Sequence, residues 1–187
     1  MTTTSSASVS FATVASAPPS VSPVHPIGSG PWTFYFHESD DKSWGTESYK
    51  KIHAAGSWEG MGTLLRELGP TRIMGGVLKV MRGDTSPLWE NKVNIRGGAY
   101  CLKIPRRTAV EVFTRYLAAA AAECATTNPA GNPIVGVTIS PKRGFCIIKI
   151  WNTDASKYKD PADIVILHED VRTSEVLYRP HVDARMV

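Results

Sequence analysis

Apolar and polar positions alternate in several short segments of the chain and follow a helical period in others. Residues 31–37 alternate with aromatic side chains on both faces, which predicts a strand. Segments 134–140 and 145–151 enclose a short turn and predict an antiparallel hairpin. Further strands are predicted over 49–54, 77–81, 97–104 and 175–181.

Three other segments have the apolar spacing of helices. The first begins after Ser57, whose hydroxyl can cap it, and is expected to end at Gly69-Pro70. The second covers 107–124, and the third begins at Asp160-Pro161 with proline in its first turn. Hairpins with interspersed helices predict an α+β domain, with helices on one face of a curved antiparallel sheet.

The two parts of the chain differ in composition. Residues 1–24 carry no charge and are mainly Ser, Thr, Ala, Val and Pro. Such a segment cannot build a core, so we predict a disordered tail over 1–24 and a single domain over 25–187. The start of the chain lacks the basic residues and continuous apolar run of a secretory signal, and no segment has the ~20 apolar residues of a membrane helix. We expect no membrane association and a cytoplasmic location, with the nucleus as the alternative.

Charge and cysteine content narrow the function classes. A net charge of +4 permits a polyanionic partner without requiring one. The three cysteines are widely spaced, with no Cys-x-x-Cys, so we interpret them as reduced core thiols and expect no disulfide, metal or cofactor. The five histidines show no nucleophile–base or metal-ligand spacing. We therefore expect a protein that is not an enzyme.

Two of the five tryptophans lie in polar loops. Trp44 follows Asp40-Asp-Lys-Ser, and Trp89 lies within the long loop 83–96. Each could be a loop anchor folded back on the sheet. Two such residues in separate loops, however, favour a binding mouth with exposed aromatic platforms.

Glu90 adds a hydrogen-bond acceptor next to Trp89. A carboxylate can accept from both the ring N–H and the amino group of guanine, whereas stacking alone tolerates any base. Methylation at N7 would make the base a cation, and two indole faces would then add a cation–π attraction of up to ~2 kcal/mol. Taken alone, Glu90 could equally be a solvated loop acid.

Further candidates follow in the second half of the chain. Lys142 and Arg143 occupy the hairpin tip, where they could hold phosphates or simply be solvated. Trp151 ends an apolar strand, so core packing and a contact to the edge of the base are both open for it.

Together these residues resemble the cap-binding translation initiation factor 4E family. The resemblance runs from His25 to about Val171. His25-Pro26-Ile27 is similar to the family's first motif, and Lys42-Ser-Trp44 to the turn with its first cap-stacking Trp. Pro87-Leu-Trp-Glu90, followed by Asn94 and Gly97-Gly98, resembles the segment with the second stacking Trp and the guanine-reading Glu. Ile148–Thr153 resembles the strand with a third Trp near the methyl group.

The resemblance implies a cupped sheet with three helices on its convex back and a monomer that binds the 7-methylguanosine cap of mRNA on the concave side. Trp44, Trp89, Glu90 and Trp151 would contact the base. A 4G-type scaffold protein or a 4E-binding regulator would dock on the back. His25, Pro26 and the first helix match that dorsal surface.

Departures from the family pattern indicate a divergent paralogue. The dorsal Trp of the first helix falls at Gly62, and Trp58 lies one turn earlier, as an alternative anchor or merely a helix-start contact. Two expected basic positions fall at Ser140 and near Ile147, so the phosphate contacts would pass to Lys142 and Arg143. Weaker cap affinity or altered cap preference is the resulting hypothesis.

The sequence leaves four candidate functions for this protein. The first is a cap binder that recruits a scaffold for translation initiation, and the second is a cap-binding regulator or repressor that recruits no productive scaffold. The Gly at position 62 favours the second. An enzyme would need an acidic partner for Glu90, and the loop offers only Asp84. A carbohydrate binder also stacks its ligand on Trp, and competition with a cap analogue would separate it from the others.

Overall fold

A computed structural model describes residues 24–182. Apart from Val24, the predicted tail 1–24 lies outside these residues, as do the last five of the chain. In chain order the strands and helices are β1 Trp32–Glu38, β2 Lys50–Ala55, α1 Trp58–Ile73, β3 Gly76–Arg82, β4 Gly98–Pro105, α2 Ala109–Ala121, β5 Ile134–Pro141, β6 Phe145–Asn152 and β7 Leu177–Pro180.

The strands form one curved sheet in the order β2-β1-β3-β5-β6-β4-β7, and every neighbouring pair is antiparallel. The predicted α+β class is therefore confirmed. Because side chains alternate along each strand, the sheet has two chemically different faces. Trp32, Phe34 and Phe36 of β1 point to one face, while Tyr35 and His37 point to the other.

The first face carries the main hydrophobic core, against which α1 and α2 pack. From α2, Val112, Phe113, Tyr116 and Leu117 are buried there. Every second residue of β4, β5 and β6 meets them, which accounts for the predicted alternation. We call this side the helix face and the opposite side the open face.

Helix α1 begins as its sequence predicts, because Ser57 Oγ accepts a hydrogen bond from the Gly60 N–H at 3.1 Å. The predicted end at Gly69-Pro70 coincides with a break in the helix. Gly69 leaves helical geometry with a φ of 62°, a conformation that favours glycine, and a second, short helical piece follows from Pro70 to Ile73. The Gly-Pro pair therefore ends the first helical piece, and the sequence did not predict the second.

The prediction of a third helix is wrong, because the residues described by the structure contain two α-helices. A single 3-10 turn, Pro161–Asp163, follows Asp160, whose side chain accepts from the Ala162 N–H. After this turn Ile164 is extended and bridges to Thr126, and the Val165 N–H donates to the Ala125 carbonyl. Pairing with that segment uses the backbone groups that a helix would need.

Two smaller expectations concern cysteines and membranes. Cys101 and Cys146 are buried free thiols, but Cys124 is exposed, so its assignment to the core is wrong. Cys124 follows the end of α2, where the chain turns outward. Between residues 24 and 182, no helix is both long enough and apolar enough to span a bilayer.

Candidate functional site

A cavity of about 630 Å³ lies on the open face of the sheet. Trp44, from the β1–β2 connection, and Trp89 with Glu90, from the β3–β4 loop, all line it. Its floor is formed by strand side chains, among them Lys79, Thr138, Lys149 and Trp151. The three residues predicted to bind a base are thus brought to one site, although they come from two separate loops.

The floor follows from the strand register. One row of paired residues crosses the sheet and projects to the open face: Tyr35, Lys79, Thr138, Lys149, Cys101 and Leu177. In the adjacent row Trp151 pairs with Gly136 on one side and Ala99 on the other. Small neighbours leave the indole room to lie over them.

Trp44 is held at the rim by its own loop. Its ring stacks on His37, with centroids 4.3 Å apart and planes 11° from parallel. The Nε2–H of His37 donates to the Ser43 carbonyl at 2.7 Å, and the Ser43 hydroxyl donates to Glu47 at 2.8 Å. The side chain of Trp44 is nevertheless 59% exposed, so one indole face stays available.

The loop with Trp89 is fixed from beneath. The side-chain amide of Asn94 donates to the carbonyls of Ser86 and Leu88, at 2.8 and 2.7 Å. Lys79 Nζ donates to the Pro87 carbonyl at 2.6 Å. With the backbone held by three bonds immediately before its position, Trp89 projects outward and is 42% exposed. Neither loop Trp is folded into the core.

The glycine pair after this loop is required by packing. A Cβ at Gly97 would collide with the Asn152 carbonyl, and one at Gly98 with the Tyr178 hydroxyl. The Gly97 N–H also donates to the Asn94 carbonyl at 2.8 Å. The pair therefore lets the end of the loop close against β6 and β7.

Trp151 lies at the floor and is only 3% exposed. It packs in a small cluster with Met81, Ala99, Cys101 and Val135, which is the packing role that the sequence left open. It also lines the cavity, with His181 at 4.6 Å between ring centroids. Burial and the nearby lysines lower the pKa of His181 to about 4, so this ring is neutral at pH 7.

Cationic side chains border the cavity on the side of β4, β6 and β7. Lys103, Lys142, Lys149 and Arg179 all line it, and none has an ion-pair partner among residues 24–182. Of the two predicted phosphate contacts, Lys142 borders the cavity, whereas Arg143 is exposed on the hairpin tip outside its lining.

Several of these cations were not identified from the sequence. Lys149 lies two residues before Trp151, so strand alternation alone places both on one face. Lys79 also has a local signal, because it is a charged residue in the middle of the apolar strand β3. Arg179 has no such local signal, because its position depends on the pairing of β7 with β4.

Three polar atoms in the cavity wall are buried without a hydrogen-bond partner in the described structure. They are Thr138 Oγ1, Trp151 Nε1 and His181 Nε2. Buried polar atoms are nearly always satisfied, so a group of three at one cavity indicates that water or a ligand completes them.

The predicted dorsal residues lie together at the start of α1. Pro26 bridges to Ser57, and the Trp58 N–H donates to the His25 carbonyl at 3.0 Å. The ring of His25 contacts Glu59 at 2.6 Å, and this bond lowers the pKa of the Glu59 carboxyl to about 2. Trp58 is partly buried against the core.

Comparison with known families explains this architecture. Residues 29–184 match the family model of eukaryotic initiation factor 4E. This match covers most of the chain, so the protein belongs to the eukaryotic initiation factor 4E family. The resemblance stated from the sequence motifs is confirmed.

Solved structures show the same fold. A C. elegans eIF4E-3, in complex with the 4E-binding protein Mextli and a cap analog, has a TM-score of 0.70 at 16% identity, over 88% of this chain and 97% of that one. An Ascaris suum eIF4E-3 with m2,2,7G cap gives 0.60 at 18% identity, over 72% and 77%. A schistosome eIF4E with m7GpppG and 4E-BP gives 0.62 at 20% identity, over 72% and 75%.

Proposed function

We propose that this protein binds the 7-methylguanosine cap of mRNA in the open-face cavity and recruits a scaffold protein for translation initiation. One observation carries the proposal: two exposed tryptophans from separate loops border one cavity, with a carboxylate directly after the second. Membership of the initiation factor 4E family supports it, as do the cap analogues bound by structural neighbours.

The chemistry of the slot fits a cationic guanine. Trp44 and Trp89 would stack on the two faces of the base, each contact contributing ~1–3 kcal/mol. Glu90 would accept from the ring N–H and the amino group and would compensate the positive charge. Trp151 would lie below the methylated edge of the base, as the third aromatic of the site.

Tryptophan fluorescence on titration with 7-methylguanosine triphosphate tests the slot. We expect quenching in the wild type and at least tenfold weaker binding in Trp44→Ala and Trp89→Ala. Trp58→Ala is the matched control, because it removes the same residue type from the opposite face. Unchanged affinity in either loop variant would overturn the sandwich.

We propose Lys142 and Arg143 as the phosphate contacts of the cap. Lys142 borders the cavity, and the next residue, Arg143, is exposed. The long side chain of Arg143 could reach a phosphate group from outside the cavity lining. Each phosphate contact contributes ~0.7 to the slope of log affinity against log salt for a single strand. Lys142→Met should reduce this slope more than Arg143→Met does. If both variants kept the slope of the wild type, the hairpin tip would not contact the phosphates.

We propose the start of α1 as the partner surface, formed by His25, Pro26 and Trp58. The alternative function, a cap-binding regulator without a productive scaffold, is favoured by one observation. Gly62 is exposed, and open space surrounds the position where a side chain would begin. The family's dorsal Trp would lie there, so an apolar anchor for a partner helix is missing.

Binding of two peptides separates the alternatives. A 4G-type peptide and a 4E-binding-protein peptide are titrated against wild type, Trp58→Ala and Gly62→Trp. Strong 4G-type binding by the wild type supports initiation, whereas strong binding of the second peptide alone supports regulation. We expect Gly62→Trp to strengthen binding of the 4G-type peptide.

The remaining parts of the proposal concern context. We propose that 25–187 is a single domain, that the protein acts in the cytoplasm, and that binding involves no chemical step. Recovery of the intact cap analogue after prolonged incubation checks the last point, and release of a nucleotide product would contradict it.

A further inference from the structure

Lys79 is an unusual residue for the floor of this cavity. It lies in the middle of β3 between Leu78 and Val80 and is only 7% exposed. Its ammonium group is 4.2 Å from the ring centroid of Tyr49 and 5.1 Å from that of Trp151. A lysine is almost never buried to this degree without a charged partner, so its position calls for a functional explanation.

The ammonium group has spare donors. A lysine carries three N–H donors, and in the described structure Lys79 uses one of them, towards the Pro87 carbonyl. Burial and the charge of Lys149 lower the pKa of Lys79 to about 7, while the charge of Glu90 acts in the opposite direction. Donors are therefore held at the floor of the cavity that Glu90 also lines.

Glu90 and Lys79 together complement one edge of guanine. The amino group and ring N–H of the base are donors, and O6 beside them is an acceptor, followed by N7. A carboxylate that accepts from these two donors therefore leaves O6 and N7 free to accept from a neighbouring side chain. Glu90 and Lys79 both line this cavity, together with Tyr49, whose ring the Lys79 ammonium contacts. Adenine has an amino group in place of O6 and would oppose the ammonium.

We propose that Lys79 is a specificity-determining residue of the slot, which donates to guanine O6 and, where N7 carries no methyl group, also to N7. This inference rests on the proposed cap-binding function. Its consequence concerns methylation. A methyl group on N7 removes an acceptor and brings a positive charge near the ammonium, whereas the indoles favour the charged base. Lys79 therefore reduces the preference for methylated over unmethylated guanine.

The test compares affinities for 7-methylguanosine triphosphate and GTP. Lys79→Met keeps the aliphatic stem and removes the donors. We expect it to raise the ratio of the two affinities in favour of the methylated ligand by about tenfold, equivalent to ~1.4 kcal/mol. Lys103→Met is the matched control, because it removes a charge from the cavity wall without removing a group that shifts the pKa of Lys79. It should weaken both ligands and leave the ratio unchanged.

A pH series tests the same idea without a substitution. Charged or titratable groups face Lys79 from several elements: Tyr35, Tyr49, Glu90, Lys149 and His181. Since the pKa of Lys79 lies near 7, below its usual 10.5, its charge is lost as pH rises through neutrality. The methylation preference of the wild type, measured relative to that of Lys79→Arg, should then increase between pH 6 and pH 8.

Lys79→Met and Lys79→Arg serve as references for the pH series. The titration of the ligands themselves is common to all three proteins, so only the difference between their curves reports on Lys79. Arginine stays charged throughout, and Lys79→Arg should show a low, less pH-dependent preference.

Two outcomes would overturn the inference. An equal loss of both ligands in Lys79→Met would mean that Lys79 only holds the loop through Pro87. Parallel pH curves for wild type and Lys79→Arg would show that the charge of Lys79 does not affect the preference for the methylated ligand. Failure of the cap-binding proposal is distinguishable, because the wild type would then bind neither nucleotide in a manner dependent on Trp44 and Trp89.

Discussion

The two faces of the sheet treat their polar groups in opposite ways. On the helix face, Asn152 donates to Asn132 and to the Tyr158 carbonyl, and accepts from Tyr178 and the Gly98 N–H. On the open face, by contrast, buried atoms of Thr138, Trp151 and His181 have no partner in the described structure.

This difference teaches where a ligand is expected. Both faces derive from the same strands, but the helix face buries the large core and the open face only the small cluster around Trp151. A satisfied network stabilises a unique core, whereas unsatisfied atoms cost free energy until water or a ligand binds them. The unpaired buried atoms of the open face are therefore where water or a ligand is expected to bind.

The largest effect is expected from the core of the helix face. Phe34 is fully buried in β1, and Phe34→Ala should lower the free energy of unfolding by about 3–5 kcal/mol. Urea denaturation measures this loss. Nucleotide affinity per folded molecule should change little; a large loss of affinity with unchanged stability would contradict the separation of the two faces.

A smaller loss is expected from the polar network on the same face. Asn152→Ala leaves several buried partners without a hydrogen bond and should cost about 2–3 kcal/mol. Thermal unfolding gives the measurement, with Asn128→Ala as a control in an exposed turn. If both variants were equally stable, the network would not be a stabilising feature of this face.

The open face should respond with the opposite sign. Thr138→Val replaces an unpartnered buried hydroxyl by a methyl group of similar shape, and should raise the stability of the ligand-free protein by about 1 kcal/mol. The same denaturation experiment detects the gain. Destabilisation would show that ordered water satisfies this hydroxyl in the free protein.

The smallest effect on stability is expected at the cavity rim. Trp44 is largely exposed and stacks only on His37, so Trp44→Ala should change the free energy of unfolding by no more than about 1 kcal/mol. The large effect of this variant is expected in nucleotide binding. A loss of several kcal/mol in stability would instead make Trp44 a loop anchor, the interpretation that the sequence left open.

Local signals predicted most of the fold. Alternation predicted β1, short apolar segments predicted β3 and β6, and Ser57 marked the start of α1, because these signals depend only on neighbours in the chain. The helix expected after Asp160 failed because a distant segment, around Thr126, pairs with Ile164 and takes its backbone groups. Cap and proline signals cannot register such a long-range competitor.

The candidate site was also predicted only in part: its loop tryptophans were identified from the sequence, and several of its cationic residues were not. Trp44 and Trp89 stood out because an aromatic residue in a polar loop has no local reason to be there. Arg179 did not, since its position depends on which strands become neighbours, and Lys79 carried only the weak signal of a charge within the apolar strand β3. Arg143, assigned from its place at the hairpin tip, lies outside the cavity lining, because only Lys142 of that pair borders it.

The sequence by itself determined that the chain alternates into strands, that two tryptophans and a glutamate lie in polar loops, and that these motifs belong to the initiation factor 4E family. Only the tertiary structure decided that both loops border one cavity and that Lys79 lies at its floor. The physical reason is the register between strands. Pairing β3 with β5 and β5 with β6 aligns Lys79, Thr138 and Lys149 in one row, an arrangement set by long-range hydrogen bonds.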